Sequence, residues 1–172
     1  YRMGFELFEE VISLSSRMGA SNPFVEMLSS RIAETKLDFP SDLPMGVLHG
    51  DLFPDNVIGS GGGVSAILDL EEAWIGPMAF DIAMSCVGFG WDGTVPVWSR
   101  WKALFDGYQS VRKLSQKEVD CLPFLHQFAT LCIASWRFWK HNLREPDELL
   151  SNRYVEMVHR LSVEIDFSEV LG

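Results

Sequence analysis

Phe5, Phe8, Val11 and Ile12 recur at helical spacing with Ser15 between residues 3 and 18, and Gly19 supplies a stop. Ser21-Asn22-Pro23 reads as a new helix start, since proline is tolerated in a first turn. Val25, Leu28 and Ile32 would form that helix's apolar stripe. The segment DFPSDLP, with two prolines, predicts a loop.

The pattern changes at Gly46. GVLH predicts a short buried strand, and NVIG, GSGGG and VSAILD predict strand, tight turn and strand, a hairpin around residues 56–69. The glycines at 61–63 lack GxxxxGK[ST] and a following helix signal, so a hairpin turn is the better reading than a phosphate loop.

Beyond Pro77 the pattern is helical. AFDIAMSCVGF predicts a largely buried helix, and Thr94 is placed to cap another bearing Val97, Trp98, Trp101, Leu104, Phe105 and Tyr108. Ser115 and Glu118 match a capping box opening a long helix towards His141. Glu145-Pro146 is read as the start of a last helix carrying Leu149, Leu150, Met157, Val158 and Leu161. All six tryptophans fall between positions 74 and 139, where core packing is the default role. The fold class is therefore α+β: one mostly helical domain over 1–172 with a small hairpin or sheet at about 46–69.

Composition narrows the setting. A chain of 172 residues with 47% apolar and 22% charged content has material for one core and no signature of disorder. No apolar run reaches the ~18 residues of a membrane span, so no membrane partner is expected. Cys86, Cys121 and Cys132 form no CxxC pair, which suits a reducing, cytoplasmic compartment. His49, His126, His141 and His159 show no zinc-ligand spacing.

The net charge of −10 is concentrated. From Leu37 to Ser99 there is no lysine or arginine, while Asp38, Asp42, Asp51, Asp55, Asp69, Glu71, Glu72, Asp81 and Asp92 all lie there. Such a surface repels a phosphate backbone, which argues against nucleic acid as a partner. Asp51, Asp69 and Asp81 sit among apolar residues rather than in a solvated acidic tract, as carboxylates do when they hold a cation or cap buried structure.

Spacing sharpens that choice. Asp51 follows the first predicted strand, Asn56 opens the second, and Asp69 ends the third. A turn near Gly61–Gly63 makes Asn56 and Asp69 neighbours, with Asp51 on the same edge. One amide oxygen and one carboxylate suit magnesium, whose other positions go to water and phosphates. Asp51 is left to accept a proton from a substrate hydroxyl. This is the division of labour that phosphoryl transfer requires.

The five-residue step from Asp51 to Asn56 equals that in the protein-kinase catalytic loop, H-R-D-x-x-x-x-N. With His49-Gly50-Asp51 in place of His-Arg-Asp, the segment resembles the aminoglycoside phosphotransferase and choline kinase-like superfamily. ILDLEEAWIGPMAFDIA resembles its second signature, and LPMGVLHGDLFPDNV is most similar to the bacterial-type homoserine kinases. Gly76-Pro77-Met78-Ala79-Phe80 stands where the superfamily usually carries Asp-Pro or a similar polar pair. The resemblance is strong over residues 43–85 and architectural elsewhere.

The resemblance implies the C-terminal lobe of a protein-kinase-like fold. Asp51 would be the catalytic base, Asn56 and Asp69 the metal ligands, and His49 and Asp81 supports of the catalytic loop. Glu71 and Trp74 are candidates to face the acceptor, and Asp55 reads as a loop residue. The implied cofactors are Mg and ATP, and the implied acceptor is an amine-bearing metabolite with a hydroxyl, homoserine first, then aminoglycosides, choline and other amino alcohols. The glycine-rich loop and phosphate-pairing lysine of such folds have no counterpart in this sequence, so an N-terminal lobe of about a hundred residues is expected outside it and the segment alone should turn over little. A non-catalytic kinase-like binding domain is the competing reading, and a metal-dependent hydrolase a distant third.

Overall fold

The computed structural model describes residues 2–19 and 21–171. Among them the chain is α+β, with helices dominating and three two-stranded antiparallel sheets. It divides into two compact units, Tyr1–Pro40 with Thr130–Val163, and Ser41–Ala129 with Glu164–Gly172.

The first unit is helical. Helix α1 (Phe5–Arg17) buries Leu7, Phe8, Val11 and Ser15, and Gly19 follows with φ 64°, the left-handed conformation expected of a helix stop. Helix α2 (Pro23–Asp38) starts where predicted: the Asn22 side chain accepts a hydrogen bond from Phe24 N at 2.8 Å, with Pro23 in the first turn. Val25 and Leu28 are buried as expected and Ile32 is half-buried, while Phe24, outside the expected stripe, is buried too.

The chain's last third departs from expectation. Helix α5 (Gln116–Phe138) runs into a π-helical turn at Trp139–Arg144, and no helix begins at Glu145-Pro146. Asp147 instead folds the chain into a turn, its carboxylate accepting from Leu149 N at 2.9 Å, and α6 spans Arg153–Leu161. Leu149 is 93% exposed as a result, while Met157 is fully buried.

In the second unit, β1 (Met45–Leu48) pairs with β4 (Trp74–Pro77), putting Leu48 opposite Trp74. The predicted strand is present, but only Leu48 is buried; Val47 and Ile75 form an exposed cross-strand pair. Strands β2 (Val57–Ser60) and β3 (Gly63–Ile67) form the predicted hairpin as a separate sheet. Gly61 and Gly62 turn it with φ 61° and 83°, the two positive values a tight primed turn needs. The hairpin is slightly shorter than predicted, so Asn56 precedes β2 and Asp69 follows β3.

Helix α3 (Ala79–Phe89) is almost wholly buried, as its composition predicts. A small hairpin, β5 (Trp91–Asp92) with β6 (Val95–Pro96), follows. Thr94 belongs to that hairpin's turn and does not cap a helix; Val97 precedes α4 (Trp98–Val111) with no side-chain cap. Trp101 and Phe105 are fully buried from α4, and Phe167 packs on both, with ring centres at 5.7 and 6.2 Å, just before α7 (Ser168–Leu171). Of the other tryptophans Trp91 is buried and the rest are half-buried, so core packing accounts for only part of the set.

The capping box at α5 is real and reciprocal. Glu118 Oε2 accepts from Ser115 N and Oγ, both at 2.9 Å, while Ser115 Oγ accepts from Glu118 N at 3.3 Å. Arg112 donates to Glu118 Oε1 at 2.6 Å and to the Tyr108 hydroxyl, which donates to the Met78 carbonyl just ahead of α3. That chain of bonds links the start of α5 to the start of α3. Cys86 and Cys132 are buried and Cys121 is half-buried, all as thiols. No helix among the described residues is long and apolar enough to cross a membrane.

Candidate functional site

The loop from His49 to Asn56 leaves β1 and enters β2 through a 3-10 turn at Pro54–Asn56. Two backbone N–H groups at its start are satisfied by one carboxylate: Asp81 Oδ2 accepts from His49 N at 2.7 Å, and Oδ1 from Gly50 N at 2.9 Å. Asp81 is in the first turn of α3, where a negative charge is favoured by the helix dipole. Gly50 has φ 82°, which turns the chain sharply between His49 and Asp51.

The buried His49 ring joins the loop to the hairpin. Its Nδ1 accepts from Asp51 N at 3.3 Å, so Nε2 carries the hydrogen and donates to the Leu68 carbonyl at 2.8 Å. From the hairpin side, Leu68 N donates to the Asn56 carbonyl at 2.9 Å. Both ends of the loop are thereby tied to the residue preceding Asp69.

Asn56 spends its NH₂ inward, donating to the Asp51 carbonyl at 2.8 Å and more weakly towards Asp51 Oδ2 at 3.4 Å. Among the described residues nothing donates to its Oδ1. Asp69 is exposed, and no protein hydrogen bond or ion pair among the described residues engages its carboxylate. Asp69 has φ 61°, the only positive φ at a non-glycine among the described residues.

Asp51 is half-buried. Burial, and after it the charge of Asp55, push its carboxyl up to about 6; Glu72 adds to this, while His49 and the Asn56 hydrogen bond oppose it. A carboxylate raised towards neutrality is better matched to proton transfer than an exposed one. Of the two adjacent glutamates, the buried Glu72 is the one that acts on Asp51, and the exposed Glu71 is the one singled out in sequence. Neighbouring glutamates carry no signal of which one turns inward. Trp74 packs edge-on against Phe80 at 5.7 Å and lies across Gly76, where an added Cβ would meet its ring at 2.4 Å.

Among the described residues no three His, Cys, Asp or Glu side chains converge to cage a metal. The Asn56 amide oxygen without a protein donor and the unpaired Asp69 carboxylate are each of a type that could hold magnesium, which is commonly bound by one or two protein oxygens with the rest from phosphate and water.

Residues 17–114 match the model of the phosphotransferase enzyme family, APH. The chain belongs to that family. This phosphotransferase domain is also similar to homoserine kinases: 33% identical over 72% of the chain to that of Rhizobium meliloti, 42% over 54% to that of Agrobacterium fabrum, and 35% over 72% to that of Methylobacillus glycogenes. The matched parts cover 38%, 29% and 39% of those proteins, so the chain spans well under half of their length. Family membership agrees with the resemblance drawn from His49–Asn56 and with the kinase-like fold it implies.

Proposed function

We propose that this chain is the catalytic and acceptor-binding lobe of an ATP- and Mg-dependent kinase that phosphorylates the hydroxyl of a small amine-bearing metabolite, homoserine first among them. The observation that carries the proposal is the Asp51–Asn56 pair. A half-buried carboxylate with a raised pKa is fixed by backbone bonds beside an amide whose oxygen has no protein donor. Homoserine kinases among its relatives support the choice of acceptor.

Asp51 accepts the proton of the substrate hydroxyl as that oxygen attacks phosphorus. Asn56 and Asp69 would hold magnesium, which neutralises phosphate charge when bound. His49 and Asp81 hold the loop so that Asp51 does not move with the substrate. Asp55 and Glu72 add negative potential that favours an ammonium group on the acceptor; Glu71, exposed at the same turn, and Trp74 remain candidate acceptor contacts. The nucleotide-pairing lysine and glycine-rich loop are assigned to an N-terminal lobe outside this chain. A cytoplasmic setting fits three thiols and bacterial relatives.

The test is ATP consumption by the intact gene product across homoserine, choline, aminoglycosides and simple amino alcohols. Asp51→Asn should lower turnover by about 100-fold or more while magnesium-dependent nucleotide binding persists. Unchanged turnover removes Asp51 as the base. Nucleotide binding without transfer to any acceptor would favour a kinase-like binding domain.

A further inference from the structure

A cavity of about 550 Å³ opens beside the candidate catalytic loop, within the size range of small-molecule sites. Its walls include Pro54 from the loop, Gly88 and Phe89 from the end of α3, Trp91, and Arg100 and Leu104 from α4. The loop and this wall are packed without slack. A Cβ at Gly88 would stand 3.0 Å from the Phe53 ring and 3.2 Å from the Leu52 carbonyl oxygen.

Arg100 is the first cation after the 63 residues from Leu37 to Ser99 that hold none. Its Nη1 donates to the Trp91 carbonyl at 3.0 Å, which anchors the guanidinium at the cavity wall. In the same unit Lys102 pairs with Asp106, Arg112 with Glu118 and Lys117 with Asp42. Among the described residues Arg100 has no carboxylate partner, and most of its donor fork is uncommitted. Its position is also unfavourable on local grounds. It lies in the first turn of α4, at the positive end of the helix dipole, where acidic residues are preferred and none is present. An anion arriving in the cavity would meet both the guanidinium and that dipole.

We propose that Arg100 binds the carboxylate of the acceptor, so that the acceptor class is a hydroxy-amino acid rather than an amino alcohol or an aminoglycoside. The inference rests on the kinase reading above. It divides the acceptor's recognition by charge: the carboxylate meets Arg100, the apolar walls take the carbon chain, and Asp55, next in sequence to the wall residue Pro54, adds the negative potential that suits the ammonium. A guanidinium gives a carboxylate a planar, two-point match that an ammonium side chain cannot.

Direct titration of the intact gene product with L-homoserine and with 3-aminopropan-1-ol, the same skeleton without its carboxylate, tests the assignment by calorimetry. L-Homoserine should bind about tenfold or more tightly than 3-aminopropan-1-ol. Arg100→Met should erase that preference and Arg100→Lys restore part of it. Equal affinity of wild type and Arg100→Met for L-homoserine overturns the proposal, as does the absence of any carboxylate-dependent binding. If Arg100→Met melts early, Ala103→Trp decides, because L-homoserine binding that survives a filled cavity also overturns it. Turnover separates the two claims. Carboxylate-dependent binding without phosphate transfer to any acceptor removes the kinase reading and leaves Arg100 assigned. Transfer to homoserine undiminished by Arg100→Met does the reverse.

Discussion

The carboxylate of Asp81 accepts the backbone N–H of His49 at 2.7 Å and that of Gly50 at 2.9 Å, across more than thirty residues of sequence. One side chain on α3 therefore fixes two consecutive peptide groups of the loop. Asp81→Ala leaves both donors without their acceptor and should cost about 1–3 kcal/mol, read as a lowered urea midpoint. Asp81→Asn keeps one acceptor oxygen and should lose less.

His49 joins Asp51 to Leu68 through its two ring nitrogens. His49→Phe keeps an aromatic ring of similar size and removes both bonds. Hydrogen exchange at Asp51 N, which loses its acceptor, should accelerate by about fivefold or more, since such a bond is worth roughly 1 kcal/mol. Unchanged protection would mean that the hairpin holds the loop without the ring.

Glu118 gives a pH signature. Burial pushes its carboxyl up, but the Ser115 N–H, the Arg112 guanidinium and the Ser115 hydroxyl together outweigh burial and hold it below its ordinary 4.5. Its folded pKa is thus depressed. The stabilisation is complete above about 4.5 and is lost as pH falls through the lower folded value. Wild type should exceed Glu118→Gln in urea midpoint at about pH 7, and the gap should narrow on acidification below 4.5. A gap that stays constant from about pH 7 to about pH 3 would contradict this.

Gly88 lets α3 and the loop touch. Gly88→Val places a Cβ 3.0 Å from the Phe53 ring and 3.2 Å from backbone, and overpacking of this kind costs about 1–3 kcal/mol. Its urea midpoint should fall, and turnover should fall further than global stability requires because the displaced backbone is that of the loop. The same substitution at Gly107, where an added Cβ meets nothing within 4 Å, is the control.

Features set by short-range chemistry are legible in the sequence. Asn22-Pro23 at the start of α2, the glycine turn at 61–62, the buried α3 and the Ser115–Glu118 box all depend on residues a few positions apart. Strand β4 has no such local signal. Its register, with Met45 opposite Pro77 and Leu48 opposite Trp74, joins two segments separated by the whole β2–β3 hairpin. The helix expected at Glu145-Pro146 is absent for a different reason. Leu149 and Leu150 fit an apolar stripe, but the Asp147 side chain captures Leu149 N and turns the chain before a helix can start.

The candidate site divides in the same way. Asp51 and Asn56 share one loop, so their spacing reports their proximity, and the hairpin turn brings Leu68, the neighbour of Asp69, to them. Which of Glu71 and Glu72 turns inward is decided by packing, and Arg100 enters from a different helix. Neither leaves a mark in local sequence.

The left-handed backbone at Asp69 has a consequence for how this position tolerates change. Glycine relieves the conformation and asparagine accepts it, whereas β-branched residues do not. Selection for folded abundance alone would therefore admit Gly and Asn freely at 69. If Asp69 holds magnesium as proposed, selection for catalysis would admit only the carboxylate. A saturation library sorted once for abundance and once for growth that depends on the reaction would give two different tolerance profiles at this one codon, and their divergence would mark chemistry still under maintenance.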